Sequence, residues 1–359
     1  MLEVKMYINL SRIGKSGTGM WQFSQKFIQS VYVLKELDGI ICAETHANFF
    51  IKYNCPIITV PDFVTNTSKT SLLRPLLWFL YSYFLSLKLF FKIRGKIIVS
   101  TTHHGLPLIS NQTITIHDLR PYNYPDSFMQ KVYFKYLLPG LLKRCHYVLT
   151  VSRSVKKQIA ECYSYPLDRI SVVYNSINIK EFCEDQEKQS FLLAVGASWK
   201  HKNIHTLLDV HSLWQDKYRL IIVCGRTKYA DFLQQRIVSL GLQNVVELRH
   251  EVSFSELKSL YAAASSLIYP SIDEGFGIPP IEAMASGTPV IVSDIPVFHE
   301  VLGDAAIYVE PENLDSWRKA FPLLEKNSHE CVKRGKEQVK LYDEANMSCM
   351  IAEWLKKVS

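Results

Sequence analysis

The eight cysteines of this 359-residue sequence include no CxxC pair and no array of cysteines and histidines at zinc-site spacing. Zinc sites and disulfide frameworks depend on such spacings, so neither is expected. Cys42, Cys55, Cys145, Cys162, Cys183, Cys224, Cys331 and Cys349 read as buried thiols in a reducing compartment. The opening residues, MLEVKMYINL, lack the basic flank, apolar stretch and small-residue cleavage site of a signal peptide, which points to a cytoplasmic protein. A Walker-type phosphate loop would need its first glycine at the position held by Asn9. No aromatic-basic RNA module or paired-cysteine finger accompanies the net charge of +7, so no nucleic-acid partner is expected. Internal repeats and low-complexity tracts are absent as well.

Acidic residues are missing from the whole interval between Asp62 and Asp118, where Lys69, Arg74, Lys88, Lys92, Arg94 and Lys96 fall. Inside it lies PLLWFLYSYFLSLKLFFKIRGK, whose uncharged part, Pro75 to Leu87, is shorter than the roughly 20 residues a helix needs to cross a bilayer. Such a segment suits a helix lying on an anionic membrane surface, a core helix, or one that does both. Elsewhere, short β-branched and aromatic runs alternate with helical patterns. They are Val4 to Leu10, Ile97 to Ser100, Thr113 to Ile116, Tyr147 to Val151 and Ile170 to Tyr174, then Phe191 to Val195, Tyr218 to Cys224, Val245 to Leu248, Ser266 to Tyr269 and Pro289 to Val292. That order predicts an α/β protein with two parallel sheets, one in each half. The expected division is a first domain over 1–180, an acidic linker over 181–190, a second domain over 191–340, and a terminal helix over 341–359 that crosses back to the first domain. Ligands of such sheets bind beyond the carboxyl ends of the strands, which places the expected site in the cleft between the halves.

The segment Tyr269 to Asp294, YPSIDEGFGIPPIEAMASGTPVIVSD, carries the most information. A strand ends at Tyr269, a loop holds Glu274, Gly275, Phe276 and Gly277, and Pro279 and Pro280 suit the first turn of a helix that Gly287 ends. Free amides and the positive end of the helix dipole beside a Gly-Phe-Gly loop make a site for a phosphate or diphosphate. Glu282 is expected in the first turn of that helix. Alone it would read as an acid interacting with the dipole; with Glu274 it forms a pair of carboxylates able to bracket a ligand.

EGFGIPPIEAMASGTPVI resembles the Glu-x7-Glu signature of glycosyltransferase family 4, retaining enzymes of the GT-B fold, in which two Rossmann-like domains face each other across a cleft. The likeness continues through SDIPVFHEVLGDAAIYVEPEN and is looser in the N-terminal half. It implies that Glu282 holds the nucleotide ribose, that Glu274 approaches the donor sugar, and that the amides of Phe276 and Gly277, next to Gly275, face the sugar and diphosphate. Upstream, VGASWKHKNIHTLL is similar to the strand-loop-helix whose basic pair binds the donor phosphates. Lys202 takes the lysine position, and His201 stands where many relatives have arginine, so Lys202 carries the main positive charge. In the N-terminal half, IGKSGTGMWQF places Gly14, Gly17 and Gly19 much like the family's glycine-rich loop, and TITIHDLRP places His117 and Asp118 like its His-Asp segment beside the reacting sugar.

The resemblance implies transfer of a hexose with retention of configuration, Lys202 and the helix-start amides stabilising the departing diphosphate while His117 bonds a donor-sugar hydroxyl or orients the acceptor. SWKHKN resembles the loop of mannosyl- and rhamnosyl-type transferases that build bacterial surface polysaccharide, including O-antigen, in lipopolysaccharide biosynthesis. GDP-mannose is therefore the first expected donor, ahead of a UDP-hexose and dTDP-rhamnose. The implied acceptor is a lipid-linked glycan, reached by a cytoplasmic enzyme attached peripherally to the inner leaflet of the inner membrane. The chain contains no Asp-x-Asp pair, so no metal and no further cofactor is expected. Two other readings remain from the residues: a retaining glycosidase, which also uses two carboxylates, and a silent nucleotide-sugar-binding subunit.

Overall fold

The computed structural model describes residues 5–13, 19–65, 74–93, 95–182 and 186–358. It divides into two compact units, one formed by Met1–Ser176 with Glu344–Ser359 and the other by Ile177–Asp343. The division precedes the acidic stretch 181–190, whose last two residues, Gln189 and Ser190, already belong to a strand of the second unit.

The first unit holds seven parallel strands: β1 (Met6–Asn9), β2 (Leu37–Ala43), β3 (Ile57–Val60), β4 (Ile97–Ser100), β5 (Gln112–Ile116), β6 (Tyr147–Thr150) and β7 (Ile170–Val172), in the spatial order β3-β2-β1-β4-β5-β6-β7. Every residue of β5 is buried, as expected of a parallel sheet covered on both faces. Strand order reverses at β1, which pairs with β2 on one side and with β4 on the other, Asn9 lying opposite Ser100. The Asn9 amide ties the two strand ends together, Nδ2 donating to Ser100 Oγ at 2.8 Å while Oδ1 accepts from Ser11 Oγ at 2.6 Å. The helix Glu344–Val358 also belongs to this unit. Its Ser348 hydroxyl donates to Ser30 Oγ of the helix Gly19–Val33 at 2.9 Å, and Tyr147 Oη donates to the Lys357 carbonyl at 2.8 Å.

The second unit holds β8 (Gln189–Val195), β9 (Arg219–Val223), β10 (Val246–Arg249), β11 (Ala264–Tyr269), β12 (Val290–Ser293) and β13 (Ala306–Val309), all parallel, in the order β10-β9-β8-β11-β12-β13. Here the order reverses at β8, between β9 and β11. The buried indoles of Trp214 and Trp317 anchor a core that includes Leu192, Ile222 and Ile291 of the sheet.

The helix Arg74–Lys92 buries one face and exposes the other. Trp78, Leu85 and Leu89 are buried in the core of the first unit, whereas Leu76, Phe79, Leu80, Tyr83, Phe84, Leu87, Phe90 and Phe91 are exposed. At about 100° per residue the exposed side chains fall on one arc, with the exposed Lys88 and Lys92 at its edge. No helix among the described residues is long and apolar enough to cross a membrane. The described cysteines are free thiols; Cys42, Cys145, Cys224 and Cys331 are buried, but Cys349 is exposed, which corrects the expectation of uniformly buried thiols. Cys183 lies outside the described residues.

Candidate functional site

In the second unit the carboxyl ends of β8 and β11, on either side of the strand-order reversal, bring Lys202 and Glu274 together. Lys202 ends the 3-10 turn Lys200–Lys202 that follows β8, and Asn203 closes the turn in the left-handed conformation with φ 59°. The Lys202 ammonium forms a close ion pair with Glu274 Oε1 and donates to Tyr269 Oη at 2.7 Å. Tyr269 Oη in turn donates to Glu274 Oε1 at 2.9 Å, and the ammonium lies 5.0 Å from the centroid of the tyrosine ring. The third N–H of Lys202 has no acceptor among the described residues.

Electrostatics holds both groups ionised. Burial alone would lower the Lys202 pKa, but the Glu274 carboxylate and the Tyr269 hydroxyl outweigh it and raise it above the ordinary lysine value. Burial alone would likewise raise the Glu274 carboxyl, and Lys202 outweighs it, with help from Ser271 and Tyr269, so that its pKa falls below the usual carboxylate value.

Glu274 opens the loop to the helix Ile278–Ala285. Gly277 caps that helix at φ +91°, and Pro279 and Pro280 stand in its first turn. Gly275 and Phe276 are buried, the Phe276 ring meeting Tyr342 edge-on at 5.2 Å. Glu282 sits in the second turn rather than the first, since the helix begins at Ile278. The dipole explanation for Glu282 therefore does not apply. Its side chain is 5% exposed, and Oε2 accepts a 2.9 Å hydrogen bond from the buried Tyr261 hydroxyl. Burial first, and then the Glu282 carboxylate, raise the tyrosine pKa well above its ordinary value, so Tyr261 remains a donor at every physiological pH. Each carboxylate thus has its own tyrosine. His201 contributes its main chain, the carbonyl accepting from Ile272 N at 2.9 Å and Ser271 Oγ at 3.2 Å. Those bonds fix the turn that presents Lys202 to the Glu274 loop.

Neither tyrosine was foreseen. Tyr269 is visible in the sequence as a polar tip at a strand end two residues ahead of the loop, whereas nothing in the spacing links Tyr261, on the helix Phe254–Ala263, to Glu282. Removing the Tyr261 hydroxyl with Tyr261→Phe leaves a buried carboxylate short of one donor. The substitution is expected to cost about 1–3 kcal/mol of stability, as read by urea unfolding; an unchanged value would show that the bond holds nothing in place.

In the first unit, His117 follows β5. Its Nε2 lies 2.8 Å from the Thr101 carbonyl, which assigns the proton to that nitrogen, and Phe23 meets the ring edge-on at 4.8 Å. Burial lowers its pKa, so the ring is neutral and Nδ1 is an acceptor with no partner among the described residues. Asp118 makes a local bond, Oδ1 accepting from Arg120 N at 3.1 Å at the start of a short helix. Gly19 begins the helix Gly19–Val33, and Gly14 and Gly17 lie outside the described residues. Among the described residues no group of three His, Cys, Asp or Glu side chains is placed to hold a metal ion.

The family model "Glycosyl transferases group 1" matches residues 176–340, which contain Lys202, Glu274 and Glu282, and "Glycosyltransferase Family 4" matches residues 73–181. The O-antigen chain mannosyltransferase RfbU of Salmonella typhimurium is 55% identical over 98% of this chain and 99% of its own length. The chain belongs to the group 1 glycosyl transferases. O-antigen chain mannosyltransferase B of Escherichia coli, another relative of this glycosyltransferase, is 30% identical over 56% of this chain and 58% of its own. Among solved structures, Anabaena HepE in complex with UDP and glucose superposes with a TM-score of 0.73 at 16% identity, covering 98% of this chain and 100% of that one. That likeness extends to the GT-B fold. Membership makes the chain an enzyme that transfers glycosyl groups, in place of the glycosidase and silent-subunit alternatives.

Proposed function

We propose that this glycosyltransferase moves mannose from GDP-mannose, with retention of configuration, to a lipid-linked glycan during O-antigen assembly. The donor sits in the second unit and the acceptor in the first. The observation that carries the chemistry is the Lys202 ammonium, held ionised by Glu274 and Tyr269 with one N–H left for a ligand. As the sugar C1–O bond stretches, negative charge builds on the departing diphosphate, and a fixed ammonium with the first amides of the helix Ile278–Ala285 stabilises it. Mannose as the sugar is supported by the name of the 55% identical relative.

Glu282, held by Tyr261, suits the ribose hydroxyls. His117 presents Nδ1 as an acceptor for a sugar hydroxyl, the backbone bond at Nε2 fixing the ring. Positive charge from Lys202 serves the purpose that a divalent cation serves in metal-dependent transferases, so activity is expected to survive chelation. Calorimetry without added metal, with GDP-mannose, UDP-glucose and dTDP-rhamnose, tests the reading against a Glu282→Ala control. GDP-mannose is expected to bind selectively, and the control to lose at least tenfold in affinity. Selective binding of UDP-glucose or dTDP-rhamnose would replace the donor assignment, and binding of none would remove the nucleotide-sugar site.

Attachment to the inner leaflet, part of the same proposal, is supported by the Arg74–Lys92 helix, whose exposed aromatic arc is edged by Lys88 and Lys92. That combination suits an anionic lipid surface. Changing Leu80, Phe84 and Phe91 to serine is expected to abolish sedimentation with phosphatidylglycerol vesicles while donor affinity stays the same. Undiminished sedimentation would reject the helix as the anchor.

A further inference from the structure

The first unit reverses its strand order at β1 and β4, the arrangement whose carboxyl end receives ligands in parallel sheets. Three basic side chains gather there, none of them signalled by a sequence motif. Arg12 follows β1 and is 9% exposed, its Nη1 donating to the Val64 carbonyl at 3.3 Å and its guanidinium carbon lying 5.5 Å from the Trp78 ring centroid. His103 and His104 follow β4, their rings 4.1 Å apart. Trp78 meets His104 edge-on at 6.4 Å, and Tyr133 lies 5.4 Å from both imidazoles while its hydroxyl donates to the His103 carbonyl at 2.8 Å.

We propose that Arg12, His103 and His104 bind the phosphate groups of the lipid-linked acceptor, with Trp78 and Tyr133 as the walls of that site. The inference rests on the reading above that the acceptor is lipid-linked, and assigns its head group to this unit.

Two features specify an anion. His104 Nδ1 is buried without a hydrogen-bond partner, and the His103 ring has none among the described residues. A buried ring nitrogen such as His104 Nδ1 is the exception in folded proteins and calls for a partner that the protein itself does not supply. Moreover, the charges acting on the pair are of one sign. Burial, then His117, then Arg12 push His103 down to about 3, and burial, then His103, then Arg12 hold His104 well below the ordinary value, with no carboxylate among the causes. Phosphate oxygens would accept from the guanidinium and the imidazoles and reverse that depression, leaving protonated rings as additional donors.

The walls specify the lipid. Trp78 belongs to the helix whose other face exposes Leu80, Phe84 and Phe91, and Tyr133 adjoins a segment that exposes Phe128, Met129 and Tyr136. A prenyl chain leaving the anion on the Tyr133 side would run toward Phe128, Met129 and Tyr136, which offer nothing to a nucleotide or to free phosphate.

The test is calorimetry with farnesyl diphosphate, inorganic diphosphate and farnesol, comparing the natural protein with a His103→Phe, His104→Phe double variant whose fold is checked by circular dichroism and urea unfolding. Farnesyl diphosphate is expected to bind the natural protein at least tenfold more tightly than the variant and more tightly than inorganic diphosphate, with farnesol far weaker. Absence of binding by the natural protein, or equal affinity in the variant, overturns the site. Histidine-independent binding leaves the lipid-linked acceptor standing. Inorganic diphosphate binding as tightly as farnesyl diphosphate, in a histidine-dependent way, overturns the lipid assignment and that acceptor together. If the double variant does not fold, imidazole C2–H resonances of the natural protein supply the same decision: those of His103 and His104 are expected to move downfield with farnesyl diphosphate, and fixed resonances reject the proposal.

Discussion

Lys202→Ala is expected to lower kcat by about a hundredfold, the loss of roughly 3 kcal/mol that follows removal of one preorganised group facing developing negative charge. The same substitution is expected to destabilise the second unit by about 3–5 kcal/mol, because Glu274 stays behind as a buried carboxylate without its counter-ion. Both side chains are mostly shielded, at 15% and 12% exposure, so solvent screens the pair little. The two losses are separable through pH. In the natural protein the folded Glu274 pKa lies below its unfolded value of about 4.3, so its contribution to stability is present above that value and disappears as pH falls through the folded pKa. Without Lys202, burial dominates and the folded pKa lies above the unfolded one. Stability is then present below the unfolded pKa and lost as pH rises through the folded value. Urea unfolding between about pH 3 and pH 7 is therefore expected to show stability rising with pH below about 4.3 in the natural protein and falling with pH above about 4.3 in the variant, slopes of opposite sign. Slopes of the same sign would mean that Glu274 does not depend on Lys202 for its charge.

Much of the second unit was legible in advance because its signals are local. β8, β9, β11 and β12 each carry a short run of apolar residues, FLLAV, LIIV, LIY and VIV, and Gly275, Gly277, Pro279, Pro280 and Gly287 mark the loop and the helix ends with backbone chemistry that reads directly. β2, β3 and β13 were missed. β2, LDGIICA, carries Asp38 and Gly39, both disfavoured in strands, and β3 and β13 are short strands of four residues each. The omission mattered, because without β2 and β3 the order reversal at β1 is invisible, and with it the place where Arg12, His103 and His104 converge. Lys202 and Glu274 were each identified, but not their contact, since 72 residues separate them and nothing in either segment encodes the meeting. Pro279 and Pro280 stand in the first turn as their chemistry requires, and Glu282, the fifth helical residue, falls just beyond it.

Gly277→Ala is expected to destabilise the second unit by about 2–4 kcal/mol, for two reasons that a second substitution can separate. At φ +91° any L side chain is strained by about 1–2 kcal/mol. A Cβ there would also lie 2.6 Å from Cε1 of Phe298, a fully buried ring with little room to withdraw. Phe298 packs 5.9 Å from Tyr269, so a displaced Phe298 would press on the hydroxyl that bridges Lys202 and Glu274. The variant should therefore lose turnover beyond what its lowered stability explains, measured at a temperature where it is still folded. In a Phe298→Leu background the contact is relieved and only the backbone strain remains. Gly277→Ala should then cost about 1–2 kcal/mol, and its additional effect on kcat should largely vanish. An equal cost in both backgrounds would assign the whole effect to the backbone and would disconnect the loop from Tyr269.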